Sequence, residues 1–146
     1  MKKLFPLILI LFVFTACSKK KAKNDEEIIQ DYIEANNLNA EATGTGLYYV
    51  RSVTGTGDGC DENSTVRVAY KGYLTDGKVF DESSEEGISF GLWQVIQGWT
   101  EGIPYFKEGG EGILLIPSEL GYGNQAVGSI PANSVLIFDI KLIEVL

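Results

Sequence analysis

Histidine is absent from this chain, and there are only two cysteines, Cys17 and Cys60. The first absence excludes a serine or cysteine nucleophile served by a histidine base, and it removes histidine as a metal ligand. The second leaves too few thiols, too far apart, for a zinc site or a redox pair. Asp58, Asp61 and Glu62 lie close together but lack a calcium-loop pattern, so neither a metal nor a cofactor is expected. Positive charge is scarce as well: 12 Lys and Arg against 20 Asp and Glu leave a net charge of −8. A surface of that sign repels phosphate backbones, so nucleic acid is not an expected partner. Prolines are few, four against 17 glycines, which favours a chain of many turns and strands. The one long apolar run, Leu4 to Phe14, is too short to span a bilayer, which takes about 20 residues.

What is present divides into an address and a domain. Met1-Lys2-Lys3 precedes the apolar run and Phe14-Thr15-Ala16-Cys17 follows it. A basic start, a short core and small residues make a signal peptide over residues 1–16. The junction resembles the bacterial lipobox, with Phe14 where leucine is usual. That resemblance implies cleavage after Ala16, lipidation of Cys17 and a membrane-anchored protein of the bacterial cell envelope, facing the periplasm. The plainer alternative is a secreted protein cut near Ala16, with Cys17 incidental. Lys19, Lys20, Lys21 and Lys23 follow at once. Beside a lipid anchor they would be drawn to anionic headgroups by about 1 kcal/mol each; otherwise they are a solvated linker.

Asn24 followed by Glu27 is a capping box, and Ile28, Ile29, Tyr32 and Ile33 recur at helical spacing. A helix is therefore predicted from Asp25 to Asn36, docked on the main domain or on a partner. Glu41 to Gly46 reads as linker, so residues 17–46 form a lipidated linker and short helix, and residues 47–146 the domain proper. From Leu47 the period becomes alternating. Strands are predicted at Leu47–Val53, Thr65–Leu74, Lys78–Asp81, Gly112–Ile116 and Val135–Val145, with a hairpin turn at Asp76-Gly77. A short helix is predicted from Val95 to Ile103, ended or kinked by Pro104. With 45% hydrophobic residues the chain can fill one core. The class is α+β: an antiparallel twisted sheet wrapped around one short helix, preceded by the N-terminal helix.

The motifs of the domain are more specific than its periods. They are Val68-Ala69-Tyr70-Lys71-Gly72, Asp76-Gly77-Lys78-Val79-Phe80-Asp81, and Val95-Ile96-Gln97-Gly98-Trp99. Further on come Ile116-Pro117 through Tyr122-Gly123, then Ile130-Pro131, then Leu136-Ile137-Phe138-Asp139. In this order and spacing they resemble the FK506-binding (FKBP-type) peptidyl-prolyl cis/trans isomerases, in a form similar to the lipoprotein isomerases associated with gliding motility. The resemblance covers about Leu47 to Leu146. It departs from the common pattern in three places. Ile88-Ser89-Phe90 keeps one of two alternating aromatics, Gly91 to Gln94 is about two residues shorter, and the tip from Asn124 to Ser129 is slightly shorter.

The resemblance implies an aromatic pocket that binds proline. Tyr70, Phe80, Asp81, Trp99 and Tyr122 would carry the catalysis, and Phe90, Val95, Ile96, Ile130 and Phe138 would hold the substrate. Trp99 would be the floor under the proline ring, Tyr122 and the Ile96 N–H would donate to substrate carbonyls, and Asp81 would bond Tyr70 at the rim. Partners would be unfolded or proline-containing polypeptides, with a macrolide as inhibitor. Taken one at a time, Phe138 and Val95 read as ordinary core and Asp81 as a turn residue. The rival function is a lipid-tethered chaperone or envelope assembly module that uses the pocket with little catalysis. A helix of about twelve residues is too short to nucleate a dimerising arm alone, so a monomer is expected. Cys60 reads as a tolerated, buried thiol, or else as half of an intermolecular disulfide.

Overall fold

The computed structural model describes residues 22–146. The expected signal peptide, the expected lipidation site Cys17 and Lys19 to Lys21 lie outside the described residues. The N-terminal helix, α1 (Asp25–Ala35), starts as its sequence requires. The Asn24 side chain accepts from the Glu27 N–H at 2.8 Å, and the Glu27 carboxylate accepts from the Asn24 N–H at 3.1 Å. Asp25, Glu26 and Glu27 place negative charge at the positive end of the helix dipole. Beyond the helix, Asn37 turns the chain in the left-handed region at φ 51°, a conformation that asparagine tolerates.

Seven strands then form one antiparallel sheet. They are β1 (Glu41–Ala42), β2 (Tyr48–Val53), β3 (Thr65–Tyr73), β4 (Val79–Glu82), β5 (Ile88–Gly91), β6 (Glu111–Ile116) and β7 (Leu136–Val145). Their spatial order is β1-β2-β6-β7-β3-β4, and β5 pairs with the first half of β3 while β4 pairs with its second half. Two expectations need correction. Glu41–Ala42 is an edge strand and not a linker. Its backbone pairs with Tyr48 and Tyr49, and the Glu41 carboxylate accepts from the Tyr49 hydroxyl at 2.9 Å and from Arg51 at 3.2 Å. The second helix, α2 (Gln97–Gly102), is shorter than predicted. Val95 and Ile96 have extended ψ angles of 176° and 148°, so they lead into the helix instead of forming its first turn. Pro104 sits in the 3-10 turn Ile103–Tyr105 that ends it. Strand β5 lies outside the predicted strands: its four residues are too few to show a period, and no hairpin turn marks it as Asp76-Gly77 marks β4.

The sheet buries side chains on both faces. On the concave face, Val66, Val68, Leu114, Ile116, Leu136, Phe138, Ile140 and Leu142 pack with Trp99 and Ile103 of the α2 region. On the convex face, Leu115, Val135 and Ile137 pack against Ile29 of α1, with Ile28, Tyr32 and Ile33 alongside. Alternation along β6 and the start of β7 feeds both layers, which is why Ile113–Ile116 and Leu136–Phe138 read as continuous apolar runs. Strands β2 and β6 approach so closely that a Cβ on Gly112 would lie 1.9 Å from the Val50 carbonyl oxygen; only glycine fits there. Among the described residues no helix is long and apolar enough to cross a membrane.

Candidate active site

The concave face opens into a cavity of about 720 Å³. Its floor is the Trp99 indole, held because Gly98 and Gly102 let α2 lie directly on Ile116 and Leu114 of β6. Four aromatic rings surround the indole or one another. Tyr70 meets it edge-on with centroids 4.8 Å apart, Phe138 at 5.1 Å, and Phe90 is tilted over it at 5.2 Å. Phe80 in turn stands edge-on to Phe138 at 5.5 Å. Edge-to-face pairs of this kind are worth about 0.5–1.5 kcal/mol each beyond the area they bury, so the rings form a rigid wall. Each arrives from a different element: Tyr70 from β3, Phe80 from β4, Phe90 from β5 and Phe138 from β7.

All ten pocket residues named from the sequence line this one cavity: Tyr70, Phe80, Asp81, Phe90, Val95, Ile96, Trp99, Tyr122, Ile130 and Phe138. The Tyr70 hydroxyl donates to Asp81 Oδ2 at 2.7 Å. Trp99 is 6% exposed, and its Nε1–H has no hydrogen-bond partner among the described residues. Tyr122 sits on the rim, more than a third exposed. Five lining residues were not foreseen: Ile88, Gln94, Val127, Gly128 and Ser129. Ile88 lies two residues before Phe90 on β5 and so shares its face; alternation around Phe90 could have found it. The other four sit on turns, where periodicity carries no information. Val127 and Ile130 exchange backbone hydrogen bonds at 2.9 and 3.0 Å and close a tight loop over the cavity.

Gly72 was quoted within a motif but given no role. A Cβ there would come within 2.6 Å of both the Phe80 and the Phe138 rings. The glycine lets those rings close over β3. Cys60 is half-buried against the concave core, away from the cavity. Burial pushes its thiol up to about 11, so it is a poor nucleophile at neutral pH.

Asp81 is the one carboxylate in the lining of the cavity, at its edge. Burial, and then the hydrogen bond to Asp81, pushes the Tyr70 phenol up to about 12. The ordinary value is about 10. A group that binds its proton more tightly when folded contributes stability that is complete below its unfolded pKa and is lost as pH rises through the folded one. Stability is therefore expected to fall between about pH 10 and pH 12. Thermal unfolding followed across that range should show a shallower fall in Tyr70→Phe than in the parent; equal slopes would contradict the assignment.

Residues 57–143 match the family of FKBP-type peptidyl-prolyl cis-trans isomerases. The chain belongs to that family. It is 46% identical over 114 residues to a probable FKBP-type peptidyl-prolyl cis-trans isomerase of Haemophilus influenzae, a match covering 76% of this chain and 47% of the relative. It is 43% identical over 131 residues to FkpA of Escherichia coli, covering 87% of this chain and 48% of that one. The chain thus spans about half the length of the curated relatives it matches. Among solved structures, FkpA from Escherichia coli superposes with a TM-score of 0.75 at 41% identity, covering 84% of this chain and 59% of that chain. A peptidyl-prolyl cis-trans isomerase from Pseudomonas syringae superposes at 0.71 and 30% identity, covering 86% and 98%. The seven-stranded sheet and short central helix are thus the FKBP fold, as the motifs led one to expect.

Proposed function

We propose that the protein is a peptidyl-prolyl cis/trans isomerase acting on Xaa-Pro bonds of exported polypeptides. The observation that carries this reading is the Trp99-floored aromatic cavity with the Tyr70–Asp81 pair at its edge, in a chain of the FKBP-type family.

The barrier to prolyl rotation is about 18–20 kcal/mol and comes from amide resonance. Resonance puts positive character on nitrogen and negative character on oxygen. The twisted transition state has lost both and is less dipolar than the planar amide. A cavity walled by Tyr70, Phe80, Trp99 and Phe138 cannot solvate the planar dipole as water does, so it favours the twisted amide. No proton needs to move, which suits a chain without histidine. In this reading the proline ring lies on Trp99, between Val95, Ile96, Ile130 and Phe90. The Tyr122 hydroxyl and the Ile96 N–H donate to the carbonyls flanking the proline and hold the rest of the peptide while the amide turns. Asp81, oriented by Tyr70, lies beside the carbonyl that rotates. A macrolide that presents a ring in place of proline competes for the same floor.

The protein would work as a monomer on the membrane surface, tethered through a lipid on Cys17 and facing the periplasm. Prolyl isomerisation takes tens to hundreds of seconds unassisted, long enough to limit the folding of exported chains. The test is catalysis of cis/trans exchange in a short Xaa-Pro peptide by soluble protein starting at Ser18. Acceleration that a macrolide blocks and that Asp81→Ala reduces supports the enzyme. Folded protein without acceleration overturns it and leaves the tethered binding module. Metabolic labelling with a fatty acid, compared with Cys17→Ser, tests the anchor: label incorporated into both proteins, or into neither, rejects it.

A further inference from the structure

Among the described residues Ser118 is the one buried polar residue, 7% exposed, and its partner comes from far away in sequence. Asp25 Oδ2, in the first turn of α1, accepts both the Ser118 N–H at 2.7 Å and the Ser118 hydroxyl at 2.5 Å. Ser118 opens the segment that carries Tyr122. Its carbonyl accepts the Gly121 N–H at 3.0 Å and the Gly123 N–H at 2.7 Å, so it holds the residues on both sides of Tyr122. The Gly123 carbonyl then accepts the Asn133 N–H at 2.8 Å. The path from the N-terminal helix to the pocket rim is therefore two hydrogen-bonded steps, Asp25 to Ser118 and Ser118 to Gly121-Tyr122-Gly123.

We propose that Asp25 is a positioning residue for the candidate active site: through Ser118 it fixes the loop that aims the Tyr122 hydroxyl into the proline pocket. The role of Tyr122 as a donor rests on the function proposed above; the mechanical link does not. Three features support the link. Both Asp25 bonds are to a charged acceptor in a part-buried setting, where such bonds are strongest. Tyr122 itself is more than a third exposed, so its backbone carries much of its placement. Helix α1 is in turn fixed to the sheet by Ile29, which is fully buried, and by the Tyr48 hydroxyl, which donates to Glu26 at 2.6 Å. A second tie runs beside it: Thr43 and Thr45 donate to the Glu101 carboxylate of α2, at 2.8 and 2.6 Å. The segment before Leu47 thus holds both α2, which carries Trp99, and the turn from Ser118, which carries Tyr122.

The test uses the full chain and two readouts. In Asp25→Ala, hydrogen exchange at the Gly121 and Gly123 amides should quicken roughly tenfold or more relative to amides of β3 and β7. Unchanged relative protection overturns the proposal whether or not the protein is active. In the isomerase assay, Asp25→Ala should lower kcat/KM several-fold in the parent, while in a Tyr122→Phe background the same change should have little further effect. Multiplicative losses would mean that Asp25 does not act through Tyr122. Asp25→Asn keeps an oxygen that can accept from Ser118 and should restore most of the rate; failure to do so points to charge and overturns the positioning role. If the parent shows no isomerase activity, the functional reading fails, and the exchange measurement still decides the link.

Discussion

Trp99→Leu is expected to slow isomerisation of an Xaa-Pro test peptide by about 100-fold, which is about 2.7 kcal/mol of transition-state stabilisation. The indole touches Tyr70, Phe90 and Phe138, with centroids within 5.2 Å. Leucine is apolar but fills less of that space and offers no flat surface to a proline ring. The three rings would collapse inward and the cavity would lose its floor. The change also weakens the fold, since deleting large apolar groups from a core costs about 2–5 kcal/mol, but the sheet's own packing of Val66, Leu114, Leu136 and Ile140 remains. The measurement is turnover alongside urea unfolding. A folded Trp99→Leu protein that keeps more than a tenth of the parent rate would refute the assignment of Trp99 as the floor.

Ile29→Ala is expected to destabilise the whole protein by about 2–5 kcal/mol. Ile29 is fully buried between α1 and the convex face of the sheet, against Leu115, Val135 and Ile137. Eleven residues of helix cannot hold together in water on their own. Helix α1 therefore exists because this face covers it, and the face in turn loses its cover if α1 melts. Unfolding of the parent should be a single transition seen equally by helical circular dichroism and by tryptophan fluorescence. Should Ile29→Ala instead lose helical signal first and leave the fluorescence transition in place, α1 would be an appendage and not part of the cooperative unit.

This second expectation bears on where the domain begins. Read along the chain, the shift from helical to alternating period at Leu47 suggests a linker and then a domain. In the folded molecule residues 25–46 contribute a helix to the second core, a strand to the sheet edge and side chains to Ser118 and Glu101. The superposition on FkpA covers 84% of this chain, more than residues 47–146 alone can supply. That solved structure thus has a counterpart for at least part of the same segment.

Local rules were enough for α1, whose capping box and apolar spacing are written in adjacent residues. They were enough for β3 and β7 too, where Val66, Val68 and Tyr70, or Leu136, Phe138, Ile140 and Leu142, alternate over a long run. The pocket was legible for a different reason. Tyr70, Phe80, Trp99, Tyr122 and Phe138 each belong to a short motif whose order resembles a known family, and all of them line one cavity. Chemistry that needs a histidine base was likewise excluded by the residue counts alone.

Other features depended on contacts between residues far apart in the chain. Nothing in the run Glu41–Gly46 says that Glu41 will meet Tyr49 and Arg51, and nothing in Gly72 says that two phenyl rings will close over it. The partnership of Asp25 with Ser118, 93 residues on, is of the same kind. A sequence pattern reports which face of an element is apolar, because burial acts on each residue in turn. It does not report which two elements meet, because that is decided by how the sheet twists and how all the layers pack at once.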